Sequence, residues 1–575
     1  MRPLGSFLHG SPSHIATKIL PRHRDPRIFK WALTSPPTFS RHRPHHHKQS
    51  QKPNPLKDYR AFNLAPSFSC VWLASLNWVA AMAVVTRVSH RTHSGISPTS
   101  GLALACHLLL LVSSAITPCF GFSGVGGEDE GNRGGELCPE ILRDEAVARL
   151  HQLGKVSDGD GYLERIFMSP AAVRAGNLIR EWMEDAGLRT WVDCLGNVHG
   201  RVEGGNASAE ALLIGSHLDT VVDAGIFDGS LGIISVISAL KVLSINGKVG
   251  ELKRPVEVIA FSDEEGVRFQ STFIGSAAIA GILSASALQI TDKSGVTIQD
   301  ALKKNSIEVT EDHLQQLRYD PKSVWGYVEI HIEQGPVLEW VGFPLGVVKG
   351  IAGQTRLKVT MRGSQGHAGT VPMSMRHDPM AAAAEAIVLL ESLCKHPQDF
   401  LSFDGQCKSY SLESLSTSLV CTVGEISTWP SASNVIPGQV TFTVDIRAID
   451  DMGREAVVYE LSNRLYQICD GRSVLCTIDR KHDANAVICN SELTSKLKSA
   501  AHLGLKRMTG SVQDEVPVLM SGAGHDAMAL SHLTKVGMLF VRCRGGISHS
   551  PEEHVLDDDV WASGLAVLAF IETQL

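Results

Sequence analysis

At 575 residues the chain exceeds one typical domain, so two or three units are expected. Hydrophobic residues at 43% and charged residues at 20% are ordinary for a soluble globular protein. A net charge of −7 spread over this length argues against a nucleic-acid-binding surface.

Residues 1–60 are rich in Pro, His, Arg and Lys, with Asp25 and Asp58 as their only acids. This composition predicts a disordered leader through residue 81, with an organelle transit peptide as the second reading. The run His45-His46-His47 lacks surroundings that would fix a metal geometry. Arg87 and Arg91 then precede an apolar stretch, 102–116, which ends at Pro118 and is too short for a comfortable bilayer span. With a start at Met82, residues 82–120 read as a signal peptide, and a membrane anchor is the competing reading. No membrane insertion is expected to remain after its removal. Residues 121–136 are Gly-rich and polar, a linker. Asn206-Ala207-Ser208 is a glycosylation sequon consistent with lumenal passage. Of twelve cysteines, Cys70, Cys106 and Cys119 precede the folded part, and the other nine show no CxxC spacing. No disulfide framework is read from them, and Cys421 in its apolar run is expected to be a buried thiol.

From about Leu137 amphipathic helices alternate with apolar runs at 211–217, 256–263 and 324–332, an α/β pattern with a sheet covered on both faces. Near Gly350 the order changes to strand 355–363, helix 379–394, strands 418–428 and 439–448, helix 454–469 and strand 473–482. This β-α-β-β-α-β order is ferredoxin-like. The first pattern then resumes. The expected organisation is a catalytic α/β domain over 137–349 and 485–575, with an α+β domain inserted at 350–484.

Five short motifs follow strands. Gly215-Ser216-His217-Leu218-Asp219 places His217 and Asp219 on one face of an extended chain, so the carboxylate can orient the imidazole. Asp228, between Gly225 and Gly229, serves either as a bridging carboxylate or as a helix cap. In Asp263-Glu264-Glu265-Gly266 one glutamate can ligate a metal while its neighbour activates water. Strand alternation sets Tyr327, Glu329, His331 and Glu333 on one face, and Gly545-Gly546-Ile547-Ser548-His549 follows the last apolar run. Together His217, Asp228, Glu265, His331 and His549 form a two-metal ligand set at strand ends. Three imidazoles and two carboxylates suit Zn²⁺ or Mn²⁺ better than Ca²⁺ or Mg²⁺.

From about residue 137 the chain resembles the M20 family of metallopeptidases and amidases. The resemblance rests on VEVIAFSDEEGVRFQSTFIGSAA, VWGYVEIHIEQGPVLEW, GIAGQTRLKVTMRGSQGHAGTVPM, STWPSASNVIPGQVTFTVDIR and VPVLMSGAGHDAM. It implies an aminopeptidase-like catalytic domain whose inserted domain acts as lid and dimerisation unit, in a homodimer. It implies that His217 and His331 hold one ion, Glu265 and His549 the other, and that Asp228 bridges two Mn²⁺, with Zn²⁺ as the second choice. Glu264 is then the general base and Asp219 orients His217. His367 stabilises developing negative charge, across a dimer interface in one reading, and Gln354, Asn434 and Arg447 bind substrate. An arginine fork suits a carboxylate. The branch implies allantoate as substrate, cleaved at a ureido C–N bond to ureidoglycine, ammonia and carbon dioxide in purine breakdown in the endoplasmic reticulum. Ureidoglycolate or another N-carbamoyl acid is the alternative substrate. An aminopeptidase fits less well because Asn434 and Arg447 suit a small acid. A binding protein without catalysis is the reading from a different class, and the intact Glu264 argues against it.

Overall fold

The structure is a computed structural model, described over residues 138–401, 410–512 and 514–575. The expected leader, signal peptide and linker lie outside these residues. Among the described residues no helix is long and apolar enough to cross a membrane.

Among the described residues, two large sheets with separate cores carry most of the strands. The first is built from β1 (Arg189–Val192), β2 (Val198–Val202), β3 (Ala211–His217), β4 (Val256–Phe261), β5 (Val324–Ile332) and β6 (Leu345–Ile351). The second takes the next stretch of chain: β7 (Gly353–Arg362), β9 (Val420–Thr422), β10 (Ile426–Trp429), β12 (Gln439–Ala448) and β13 (Leu475–Ala484). Between its strands, β8 (Gly366–His367) and β11 (Val435–Ile436) form a separate two-stranded pair. β14 (Val487–Ile488), β15 (Val518–Ser521) and β16 (Val536–Val541) return to the first sheet.

The first sheet runs β1-β2-β4-β3-β5-β16-β6-β14, with β15 also paired to β6. Its centre, β4-β3-β5-β16, is parallel. These strands are buried at nearly every position, as strands covered on both faces must be. Helix Ser230–Ile245 is apolar around almost its whole circumference because it lies between this sheet and the C-terminal helix Asp557–Glu572. Its Gly232 meets the sheet directly: a Cβ there would lie 3.0 Å from the Ile330 carbonyl carbon and from Ser216 Cβ.

The second sheet has the order β13-β7-β12, with β10 and β9 both on the far side of β12, all antiparallel. This is the ferredoxin-like order expected from sequence. Strict alternation in β12 sends Val440, Phe442, Val444, Ile446 and Ala448 to a core shared with helices Pro379–Lys395 and Asp451–Gly471. Its other face carries charge. Asp378 and Asp450 start those helices by accepting backbone N–H groups of the first turn.

Two expectations need correction. The predicted strand 418–428 is two strands, broken at Gly424 where Glu425 and Thr443 exchange hydrogen bonds of 3.0 and 3.1 Å. Cys421 is not a thiol: it forms a disulfide with Cys394, tying β9 to the end of helix Pro379–Lys395. The 27-residue separation carries no local signal, and the pairing exists only once helix and strand pack.

Candidate metal centre

β3 and β5 are parallel neighbours, so their C-terminal ends deliver His217 and His331 side by side. Each imidazole turns Nδ1 to a backbone carbonyl, His217 to Asp219 O at 3.0 Å and His331 to Ile332 O at 2.8 Å. A carbonyl only accepts, so both Nδ1 atoms carry hydrogen and both Nε2 atoms present lone pairs. The two Nε2 atoms are 3.2 Å apart, and they lie 3.5 and 3.2 Å from Asp228 Oδ1. That oxygen is buried and has no hydrogen-bond partner. Three lone pairs converging in a buried pocket repel one another unless a cation sits among them.

The other carboxylate oxygen of Asp228 faces a second group. His549 Nε2 lies 3.3 Å from Asp228 Oδ2 and 3.3 Å from Glu265 Oε1. Asp228 thus joins two clusters, His217–Asp228–His331 and Asp228–Glu265–His549, whose ligand atoms fall within 4.8 Å of one another. This donor set fits a pair of borderline divalent ions with a shared carboxylate. Charge reflects the same concentration. Burial works against the Asp228 carboxylate, yet its close approach to the imidazoles of His217, His331 and His549 holds its pKa well below the ordinary value. Hydrogen bonds to Asp228 and Glu265 push His549 up to about 10.

Glu264 and Glu265 follow β4 through a left-handed turn, with φ of 55° at Asp263 and 62° at Gly266. Asp219 fixes that turn: its carboxylate accepts the backbone N–H of Glu264 at 2.9 Å and of Glu265 at 3.1 Å. The orienting bond to His217, expected from this carboxylate, comes instead from the Asp219 backbone, and the nearer carboxylate oxygen stands 3.9 Å away. Glu264 is buried beside His217 and Glu265, and burial raises its carboxyl well above the usual range.

Other side chains surround the ligand set. Gln334 donates to Asp228 Oδ2 at 3.0 Å, from a left-handed backbone (φ 56°). Glu553 accepts the backbone N–H groups of Phe227 and Asp228. The His525 ring packs edge-on against His331 at 4.5 Å. Glu329 is wholly buried and accepts from Ala527 N and Ser216 Oγ. Glu333, expected on the His331 face, turns away: β5 ends at Ile332, and Glu333 accepts the N–H groups of Val337 and Leu338.

The residues expected to bind substrate form two separate pairs on the second part of the chain. Gln354 and Arg447 are register partners on β7 and β12. His367 pairs with Val435, and the neighbouring Asn434 carbonyl accepts from Ala368 N at 2.9 Å. His367 Nδ1 accepts the Gly369 N–H at 3.0 Å, so Nε2 carries the hydrogen and the exposed ring presents a donor. Among the described residues, neither pair hydrogen-bonds a member of the ligand set.

Comparison with known proteins accounts for this arrangement. The chain is 74% identical over 468 residues to allantoate deiminase 2 of Glycine max, covering 81% of this chain and 97% of that protein. A more distant relative, ureidoglycolate hydrolase of Oryza sativa subsp. japonica, is 31% identical over 463 residues, covering 80% and 89%. Among solved structures, a hydantoinase/carbamoylase family amidase from Burkholderia multivorans superposes with a TM-score of 0.65 at 26% identity, covering 76% of this chain and 99% of its own. Residues 213–573 match the shared sequence pattern that spans β3 to the last helix, and by that match the chain belongs to peptidase family M20/M25/M40.

Proposed function

We propose that the protein hydrolyses allantoate to ureidoglycine, ammonia and carbon dioxide in purine catabolism. The observation that carries the hydrolytic chemistry is the convergence of His217 Nε2, His331 Nε2 and the orphaned Asp228 Oδ1 beside Glu264. The substrate assignment draws on 74% identity to an allantoate deiminase, against 31% to a ureidoglycolate hydrolase.

In this reading His217 and His331 would hold one ion and Glu265 and His549 a second, with Asp228 shared between the two sets. Mn²⁺ is the proposed metal, with Zn²⁺ compatible with the same donors. Bound divalent ions lower the pKa of water and polarise a carbonyl. Glu264, whose buried carboxyl binds a proton readily, takes the proton from the attacking water and returns it to the leaving nitrogen. Asp219 holds the backbone of that glutamate in place. His367 offers its Nε2–H to the developing negative charge, and Gln354, Asn434 and Arg447 bind the substrate's polar groups.

The inserted segment 350–484 is proposed as lid and dimerisation unit of a homodimer. In support, edge strand β10 leaves Ile426 and Trp429 exposed. Residence in the lumen of the endoplasmic reticulum is proposed from the basic and apolar segments after Met82. The Cys394–Cys421 disulfide supports it, since such bonds persist in oxidising compartments.

Ammonia release from allantoate and from ureidoglycolate, measured with and without added Mn²⁺, tests the proposal. Glu264→Gln is expected to retain metal while losing about 10²- to 10⁴-fold in turnover. Turnover of ureidoglycolate alone overturns the substrate, and an unimpaired Glu264→Gln overturns the base.

A further inference from the structure

Arg447 is held more tightly than a surface strand residue needs to be. Its Nε donates to Asp445 Oδ1 at 2.8 Å and its Nη2 to Asp445 Oδ2 at 3.1 Å, a bidentate pair along one edge of the guanidinium. Its Nη1 donates to the Gly522 carbonyl at 2.7 Å. A guanidinium has five N–H groups, so these three bonds leave one on each terminal nitrogen. Asp445 also accepts from Arg356 Nε at 3.0 Å across the β7–β12 ladder. Burial alone would raise the Asp445 carboxyl, but the two arginines more than reverse this, and it stays ionised as their shared anchor.

These groups line a cavity of about 560 Å³ on the charged face of the second sheet, with Lys481 and Gly522 on its wall. Arg356, Arg447 and Lys481 against the single Asp445 give it surplus positive charge. Gly522 directly follows β15 of the first sheet, so the cavity lies where the two sheets' segments meet.

We infer that Asp445 is a positioning residue for a carboxylate subsite: it clamps one edge of Arg447 so that the two remaining N–H groups receive the carboxylate of the substrate in this cavity. The inference rests on the proposed function, in which Arg447 binds substrate. An arginine pre-set in this way loses little side-chain entropy on binding, whereas a free one must be ordered by the substrate. The plain alternative is a cross-strand ion pair that only stabilises the sheet.

Steady-state kinetics of the Mn²⁺-loaded full chain on allantoate separate the two. Asp445→Asn keeps the shape but turns an amide N–H toward the arginines. It is expected to raise KM about tenfold or more, with kcat within about threefold and an unchanged melting temperature. Asp445→Glu recovers part of the loss. Asp445→Asn combined with Arg447→Ala is no worse than Arg447→Ala alone, because the clamp has nothing left to hold. An unchanged KM, or a fall in kcat and melting temperature at constant KM, overturns the inference. Wild-type protein inert toward allantoate defeats the functional reading instead. Calorimetric binding of glyoxylate then decides the subsite separately, and equal affinity in wild type and Asp445→Asn overturns it.

Discussion

Removal of the Glu553 side chain should release the bridging aspartate. Glu553 is 5% exposed, and its Oε1 accepts the backbone N–H groups of Phe227 at 2.9 Å and Asp228 at 3.1 Å. Its Oε2 accepts from Ser548 Oγ at 3.1 Å, next to His549. One side chain therefore ties the Asp228 loop to the His549 loop. Burial and the nearby Asp228 charge push its carboxyl up to about 7, so its value lies in acceptor geometry more than in charge. Glu553→Ala strands two buried N–H groups, each worth about 1–3 kcal/mol, which sets an upper bound near ~6 kcal/mol. Water entering the space left behind brings the expected loss of stability to about 2–3 kcal/mol. Because Asp228 belongs to both candidate clusters, Mn²⁺ affinity should fall about 10- to 100-fold on the proposed reading. Glu553→Gln keeps an amide oxygen for the same N–H groups and should bind Mn²⁺ within about threefold of wild type. Chelator-stripped protein titrated with Mn²⁺ in a calorimeter, alongside urea denaturation, measures both quantities. Wild-type metal affinity in Glu553→Ala would refute the reasoning.

Two further changes probe the frame. Gly232→Ala puts a Cβ against the Ile330 carbonyl and Ser216, neither of which can swing aside, so helix Ser230–Ile245 must shift. Overpacking of this kind costs about 1–3 kcal/mol, and the shift moves Asp228 away from His331; a lower urea midpoint with weakened Mn²⁺ binding is expected, and neither change refutes the close approach. His199 is buried between Asp193 and Glu257 beneath Trp191, with Tyr319 and Arg201 also on Glu257. Burial opposes its charge, but the two carboxylates raise it from 6.5 to about 9. A folded pKa above the unfolded one means stability fully present below about pH 6.5 and lost as pH rises through about 9. The stability gap between wild type and His199→Gln should shrink by about 3 kcal/mol across that window, and a gap constant with pH would exclude a charged His199.

The ligand residues were legible because each stands at the end of a buried strand or in the loop that follows one, and a polar side chain there has few uses other than the site. His217 and His331 needed no more than that, since β3 and β5 end as the apolar runs do. The ferredoxin-like order was legible for a related reason: alternation in 439–448 reports one covered face, and helices between the strands supply the cover. What failed to show was whatever depends on where the backbone stops or turns. Alternation carried past Ile332 placed Glu333 beside His331, whereas the chain has left the strand and the carboxylate caps a helix. The Asp219 side chain and backbone exchange the roles that spacing suggests, because a turn after β3 brings the carbonyl closer to the ring than the carboxylate. Gln334, Glu553 and the Cys394–Cys421 bond arise from contacts between segments distant in sequence, which no local pattern encodes.

This division has a chemical counterpart. Two of the ligand set, His217 and His331, sit on buried parallel strands, and Asp228 and Glu265 follow on loops beside them. Arg447, Gln354, His367 and Asn434 sit on the other sheet and its small β pair, and His367 and Asn434 are exposed. The Arg447–Gly522 hydrogen bond links that sheet to the loop under His331. On the proposed reading, a substrate that engages Arg447 through its carboxylate adds interaction energy on the second-sheet side of this link, away from the bond being broken. Binding energy of that kind is useful when it brings catalytic groups to the reacting carbonyl rather than merely tightening the ground state. A ureido compound lacking the carboxylate should therefore lose kcat as well as affinity, because its binding energy would no longer bring His367 toward the reacting carbonyl.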